Sequence, residues 1–246
     1  MKKTIIFSLL LILFLTACTK KQVDEVISAI PFIGGDEEIN EAVLKKDVEL
    51  CKKLSGKDAL AQLRRQNRCV EKVAKASSNY LACYLIKDVD DPDEVDYKAG
   101  NECAIAVAVE TAELGACEEI ERKGFGAEKC YAKLAPVLKD ATLCAKVGEG
   151  TIWNNCIKDT AKAAENIAIC DNFEASGLKG SCQADVARVK EDASLCERIE
   201  REDYKNNCYK NIAVKTKDTS LCDNMSTDSR KEQCRKSVEP INQKKQ

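Results

Sequence analysis

Histidine is missing from all 246 residues. Its absence removes the side chain most often used as a general base near neutral pH. It also removes every imidazole zinc site and every Ser-His or Cys-His nucleophile pair. Aromatic residues make up only 5 % of the chain, which is thin for a large globular core and for an aromatic-lined ligand pocket. Thirty-nine Lys and Arg stand against 41 Asp and Glu with no polybasic block, which argues against a nucleic-acid surface. A Cys-x-x-Cys motif is absent too, so dithiol redox catalysis is not expected. What the sequence does hold is cysteine, at 15 positions.

The chain opens on the basic Met1-Lys2-Lys3, followed by an apolar run from Ile5 to Leu15. About a dozen apolar residues are too few to span a bilayer comfortably but suit a signal peptide. The run ends in Leu15-Thr16-Ala17-Cys18, which resembles the lipobox of prokaryotic lipoproteins. The resemblance implies cleavage before Cys18 and a diacylglyceryl group on its sulfur, with residues 1–17 as the signal peptide. It therefore implies a mature protein lipid-anchored on the extracytoplasmic face of a prokaryotic membrane, where disulfides persist. Lys20 and Lys21 would lie close to the lipid headgroups. Thr19 stands where an Asp would resemble the inner-membrane retention signal of Gram-negative lipoproteins. Removing Lys2 and Lys3 leaves 37 cationic against 41 acidic residues, a balance of −4.

The other cysteines are Cys51, Cys69, Cys83, Cys103, Cys117, Cys130, Cys144, Cys156, Cys170, Cys182, Cys196, Cys208, Cys222 and Cys234. Every second gap between them is 14, and the alternate gaps settle to 12 from Cys144 onward. The period is 26, repeated as seven copies, which is the mark of a repeat array.

Four residues before the first Cys of each copy stand Asp47, Asn79, Glu113, Asp140, Asn166, Asp192 and Asp218. All but Glu113 are good helix N-caps. Apolar residues at offsets −1 and +3, such as Leu195 and Ile199, share a helical face with the Cys. After the second Cys, offset +4 is mostly Val, Leu or Ile. Offset +5 is Ala in six copies (Ala74, Ala108, Ala135, Ala161, Ala187, Ala213) and Glu239 in the last. Each unit therefore reads as a short helix, a turn and a longer helix that approaches its neighbours closely.

A bridge across such a hairpin needs both cysteines at similar depth from the turn, with Cα atoms within about 7 Å. A gap of 12 meets this and a gap of 14 does not. The length variation in the first three copies (gaps of 18, 20 and 13) also falls where a hairpin tip tolerates insertion. The expected pairs are 51–69, 83–103, 117–130, 144–156, 170–182, 196–208 and 222–234. The predicted fold is an all-α, solenoid-like array of about seven disulfide-clamped helical hairpins with a 26-residue period, elongated and gently curved. Residues 18–35 form a lipidated start and tether, 36–46 a Cys-free N-terminal capping helix, 47–240 the repeats, and 241–246 a basic tail. The apolar stretch Val23 to Ile33 is expected to pack under the first repeat. The C-terminal cap is weaker, since Pro240 and the tail soon follow Val238.

Three features are candidate sites. Asp88, Asp90, Asp91, Asp93, Glu94 and Asp96 crowd the tip of the second copy, but Pro92 and a missing central Gly do not match an EF-hand loop. A Ser–Lys pair remains available for hydrolysis, yet no copy is marked as privileged. Trp153, the only Trp, is expected to pack rather than to serve as a sugar platform. The expectation is a non-enzymatic interaction scaffold or spacer with a protein or peptide partner, a membrane contact through Cys18, no cofactor and no nucleic acid. The alternative is a metal- or ligand-binding lipoprotein using the loop 88–96 or free thiols.

Overall fold

The structure, a computed structural model, describes residues 36–124 and 126–238. The leader with Cys18, the apolar stretch 23–33 and the tail 241–246 lie outside the described residues. The chain divides into two units, Met1–Glu41 and Ala42–Gln246. In the first, residues 36–41 carry the start of helix α1 (Glu37–Lys45).

The second unit is an all-α array of two-helix copies. Their first helices are α2 (Val48–Lys53), α4 (Tyr80–Leu85), α6 (Gly115–Lys123), α8 (Ala141–Lys146), α10 (Ile167–Asn172), α12 (Ala193–Arg198) and α14 (Thr219–Asn224). Their second helices are α3 (Ala59–Ser77), α5 (Tyr97–Thr111), α7 (Ala127–Leu138), α9 (Thr151–Ala163), α11 (Ser176–Lys190), α13 (Glu202–Thr216) and α15 (Asp228–Val238). From α4 onward, each first helix lies against the second helix of its own copy and that of the copy before, and successive second helices pack on one another.

Six of the first helices are 3-10 rather than α, and their caps explain it. Asp47, Asn79, Asp140, Asn166, Asp192 and Asp218 each accept the backbone N–H two residues on, at 2.9–3.2 Å. This local bond tightens the first turn, and the Cys carbonyl then accepts the N–H three residues later, as from Ile199 to Cys196 at 3.1 Å. With three residues per turn, Cys and the +3 residue line up. Leu54, Ile86, Val147, Phe173, Ile199 and Met225 are accordingly buried. The −1 residue, expected on the same face, is turned away and only half-buried at Leu50, Leu143, Ile169, Leu195 and Leu221. In the third copy Glu113, one methylene too long, makes no cap bond, and α6 is a regular α-helix of nine residues.

The recurrent Ala has a backbone duty. The N–H of each cap residue bonds back to the carbonyl five residues earlier: Ala42, Ala74, Ala108, Ala135, Ala161, Ala187 and Ala213, at 2.9–3.1 Å. These alanines are 0 % exposed. Closing that bond puts the intervening residue in the left-handed region, the Schellman ending of a helix. Lys46, Ser78, Ala112, Lys139, Glu165, Glu191 and Lys217 all sit there, at φ 50–58°.

An Asn two residues before the second Cys, buried at Asn206 and half-buried at Asn67, locks one copy to the next. Asn206 accepts the Ser226 N–H at 2.9 Å and donates to Ser226 Oγ at 3.0 Å. Asn67 likewise accepts from Lys87 N and donates to Lys87 O, at 3.0 and 2.7 Å. Asn206→Ala is expected to cost about 2 kcal/mol by orphaning the buried groups it satisfies. The check is the urea midpoint together with hydrogen exchange at the Ser226 amide; unchanged protection there would refute the lock.

The last copy departs from this pattern. Where the sixth copy has buried Asn206 and Tyr209, the seventh has exposed Glu232 and half-exposed Arg235 at the same register. A charged outer face of this kind suits a terminal repeat.

Candidate functional site: bridges, an acidic tip and two grooves

Seven disulfides join the two helices of each copy: 51–69, 83–103, 117–130, 144–156, 170–182, 196–208 and 222–234. Their Cα–Cα distances are 5.4–5.8 Å, and no half-cystine is more than 4 % exposed. Sulfurs in this state are neither nucleophiles nor metal ligands. Cys18, the expected lipid site, lies outside the described residues.

Three of the six carboxylates at the acidic tip bond its own backbone. Asp88 accepts from the N–H groups of Asp90 and Asp91, Asp91 from Asp93, and Asp96 caps α5 through Ala99 N at 2.9 Å. An isolated bridge between Lys87 and Val95 closes the base of the loop. Among the described residues, no group of three or more His, Cys, Asp or Glu could hold a metal ion.

Among the described residues one Ser–Lys hydrogen bond is present: Lys158 Nζ donates to Ser181 Oγ at 3.1 Å. Asp185 holds the same ammonium at 3.3 Å and is itself approached by Arg188 at 3.4 Å. The arrangement ties the fourth copy to the fifth and offers no free amine to activate the hydroxyl. Trp153 packs edge-on against the buried Phe173 ring at 5.3 Å, also across two copies.

Two phenol–carboxylate pairs brace individual copies. Tyr131 donates to Glu121 at 2.6 Å, with Lys146 of the next copy on the other oxygen. Tyr209 donates to Glu197, which Lys205 also holds at 2.7 Å. The Tyr131 hydrogen bond, followed by Lys146, holds Glu121 below the usual carboxylate range. For Glu197, Lys205 leads and Tyr209 follows. Burial of the rings, then the bond to the carboxylate, pushes both phenols upward. Carboxylates depressed on folding stabilise the fold above the unfolded Glu value near 4.3, and that contribution is lost as pH falls. Phenols raised on folding stabilise it below about 10, and that contribution is lost as pH rises. Urea midpoints should therefore be level from about pH 5 to about pH 9 and fall on both sides. The double variant Tyr131→Phe/Tyr209→Phe should have a shallower alkaline limb; an unaltered limb would contradict this assignment.

Two grooves open in the irregular first three copies. A groove of about 350 Å³ lies between the first and second, with Val48, Leu63, Val70 and Leu85 among its walls. A second, of about 570 Å³, lies between the second and third, lined by Tyr97, Asn101, Ile105 and Gly126 with Lys98, Glu102 and Lys129. Beside it, Lys123 Nζ stands 4.4 Å from the centre of the Tyr84 ring and 5.8 Å from that of Tyr97. Burial, then neighbouring Tyr80, pushes the Tyr84 hydroxyl up to about 12. Neither groove gathers a nucleophile beside a base. Sequence reasoning missed both, and it missed the Asn lock; the repeated Asn67, Asn101, Asn154 and Asn206 at one register position was the available signal. No described helix is long and apolar enough to cross a membrane.

The fold and these sites define a class: an all-α array of disulfide-clamped helical hairpins. No family model, curated protein or solved structure matches the chain.

Proposed function

We propose that the chain is a lipid-anchored protein of the extracytoplasmic face of a prokaryotic membrane. Its role is that of a non-enzymatic scaffold or spacer for a protein or peptide partner. The observation that carries this reading is the burial of all fourteen cysteines after Cys18 in intra-copy bridges. Such bridges belong to an oxidising compartment, which agrees with the leader and its lipobox, Leu15 to Cys18. A regular array with grooves between copies offers extended surface for a partner; this part of the reading rests on architecture.

The test is mass spectrometry of the protein extracted from membranes of its source, with a thiol count and crosslinking in intact cells. The expected result is a first residue Cys18 carrying diacylglyceryl, no free thiol, and a crosslinked protein. An unprocessed leader would overturn the anchor. Free thiols carrying copper or zinc would overturn the scaffold.

A further inference from the structure

Charge is spread unevenly over the copies. Counted from its cap residue, the first copy (47–78) holds eight Lys and Arg against four Asp and Glu, a balance of +4. The second (79–112) holds two against eight, a balance of −6. Each of the other five, from 113 to 238, lies within one charge of neutral. The four carboxylates of the first copy are already engaged. Asp47 and Asp58 accept the N–H groups of Glu49 and Ala61, and Glu49 and Glu71 hold Lys52 and Lys75.

Three of the remaining cations stand one turn apart. Arg64, Arg68 and Lys72 are spaced by four along α3, which makes them one ridge, with exposed Leu60 a turn before them. All three are exposed, and none forms an ion pair with a described residue. Lys53 and Lys57, near the tip of the same copy, are exposed and without an ion pair as well. The repeat itself does not require this ridge. The same three register positions hold Thr151, Asn155 and Asp159 in the fourth copy and Ser229, Gln233 and Ser237 in the seventh. The fifth and sixth copies carry no cation there either.

We propose that the first copy rests on an anionic phospholipid surface, with the ridge of Arg64, Arg68 and Lys72 against the headgroup phosphates. The proposal rests on the lipid-anchored reading and adds to it a contact between the folded array and the membrane. Chain order favours a membrane over other anionic partners. The tether 18–35 leads from the expected acyl site into α1 and the first copy, and its 18 residues reach about 60 Å at most. The copy that follows the anchor is therefore the one with the positive excess. The second copy, at −6, is repelled by the same surface. Together the two turn the positive copy inward and hold the next one off. Each Lys or Arg near an anionic bilayer raises affinity about fivefold, and the attraction fades over about 10 Å at 0.1 M salt.

The test uses the mature chain from residue 18 with its bridges intact and with Cys18→Ser, so that no acyl chain contributes. Its sedimentation with vesicles of phosphatidylcholine alone is compared with that on vesicles also containing phosphatidylglycerol. Binding is expected only to the phosphatidylglycerol vesicles, and it should fall as salt is raised. Arg64→Gln/Arg68→Gln/Lys72→Gln should weaken it about 100-fold with helical circular dichroism unchanged. Lys139→Gln/Lys190→Gln/Lys217→Gln removes the same charge from exposed sites of later copies and should change it by no more than about twofold. No binding, equal binding to both vesicles, or equal loss in the two triple variants overturns the proposal. Tighter binding to polyglutamate than to phosphatidylglycerol vesicles overturns it too, in favour of an acidic protein partner. Failure here alongside diacylglyceryl on Cys18 in cells defeats the ridge alone and leaves the anchor standing; an unprocessed leader defeats the anchor and this contact with it.

Discussion

Full reduction of the seven bridges is expected to unfold the second unit at room temperature. Each bridge closes a loop with a separation of 12–20 residues. In the chain-entropy account each contributes about 3 kcal/mol, so the set contributes about 20 kcal/mol, beyond the 5–15 kcal/mol that a folded domain typically holds in reserve. The packing between copies is not rich enough to replace it. Each copy buries only a few aliphatic side chains beside its cystine, such as Ile199 and Ile212 in the sixth. Because no half-cystine exceeds 4 % exposure, a reductant must wait for a copy to open. Loss of helical circular dichroism should follow reduction, slowly without denaturant and quickly at low urea. Retention of the helical signal after all fourteen thiols are free would show that the copies cohere without their clamps.

The second large effect has the opposite sign. Seven non-glycine residues occupy the left-handed position that ends each helix before the next cap: Lys46, Ser78, Ala112, Lys139, Glu165, Glu191 and Lys217. A side chain there costs about 1 kcal/mol relative to glycine. These side chains hold little that would be missed; Glu191 pairs with Lys215 at 2.9 Å, but both are about half exposed. Replacing all seven by Gly should therefore raise stability by about 5 kcal/mol, and the three-site variant Lys139→Gly/Glu191→Gly/Lys217→Gly by about 2 kcal/mol, less any entropy that Gly gains unfolded. Thermal melting of the oxidised protein checks this. A lower melting temperature would mean that the unfolded-state entropy of the glycines outweighs the relieved backbone.

The helical repeat class and the hairpin were legible because two chemical requirements leave periodic marks. A bridge needs a cysteine at each end of its span, and a helix start needs a short polar side chain. Cys196 with Cys208 and the cap Asp192 illustrate both. The type of the first helix was less legible. Its 3-10 geometry comes from the bond between Asp192 and Ser194 N, and an offset of +3 fits either an α or a 3-10 face. Only the half-burial of Leu195 tells them apart. The recurrent Ala was visible, but its partner was not: the carbonyl of Ala187 receives the N–H of Asp192, a backbone bond that no side-chain pattern records. The grooves were hidden for another reason. They open between copies, where the length differences at the tips of the early copies break the register that the later repeats keep.

The placement of the bridges also has a mechanical consequence. All seven lie within a copy and none between copies. Under tension applied at its two ends, the chain can lengthen only through the segments that join one bridge to the next. Between Cys208 and Cys222 that segment spans 14 residues, or about 50 Å when drawn taut, against about 90 Å for a whole 26-residue repeat without its bridge. The array is thus built to give way in short, equal increments, each returning to a pre-closed hairpin when the load is released.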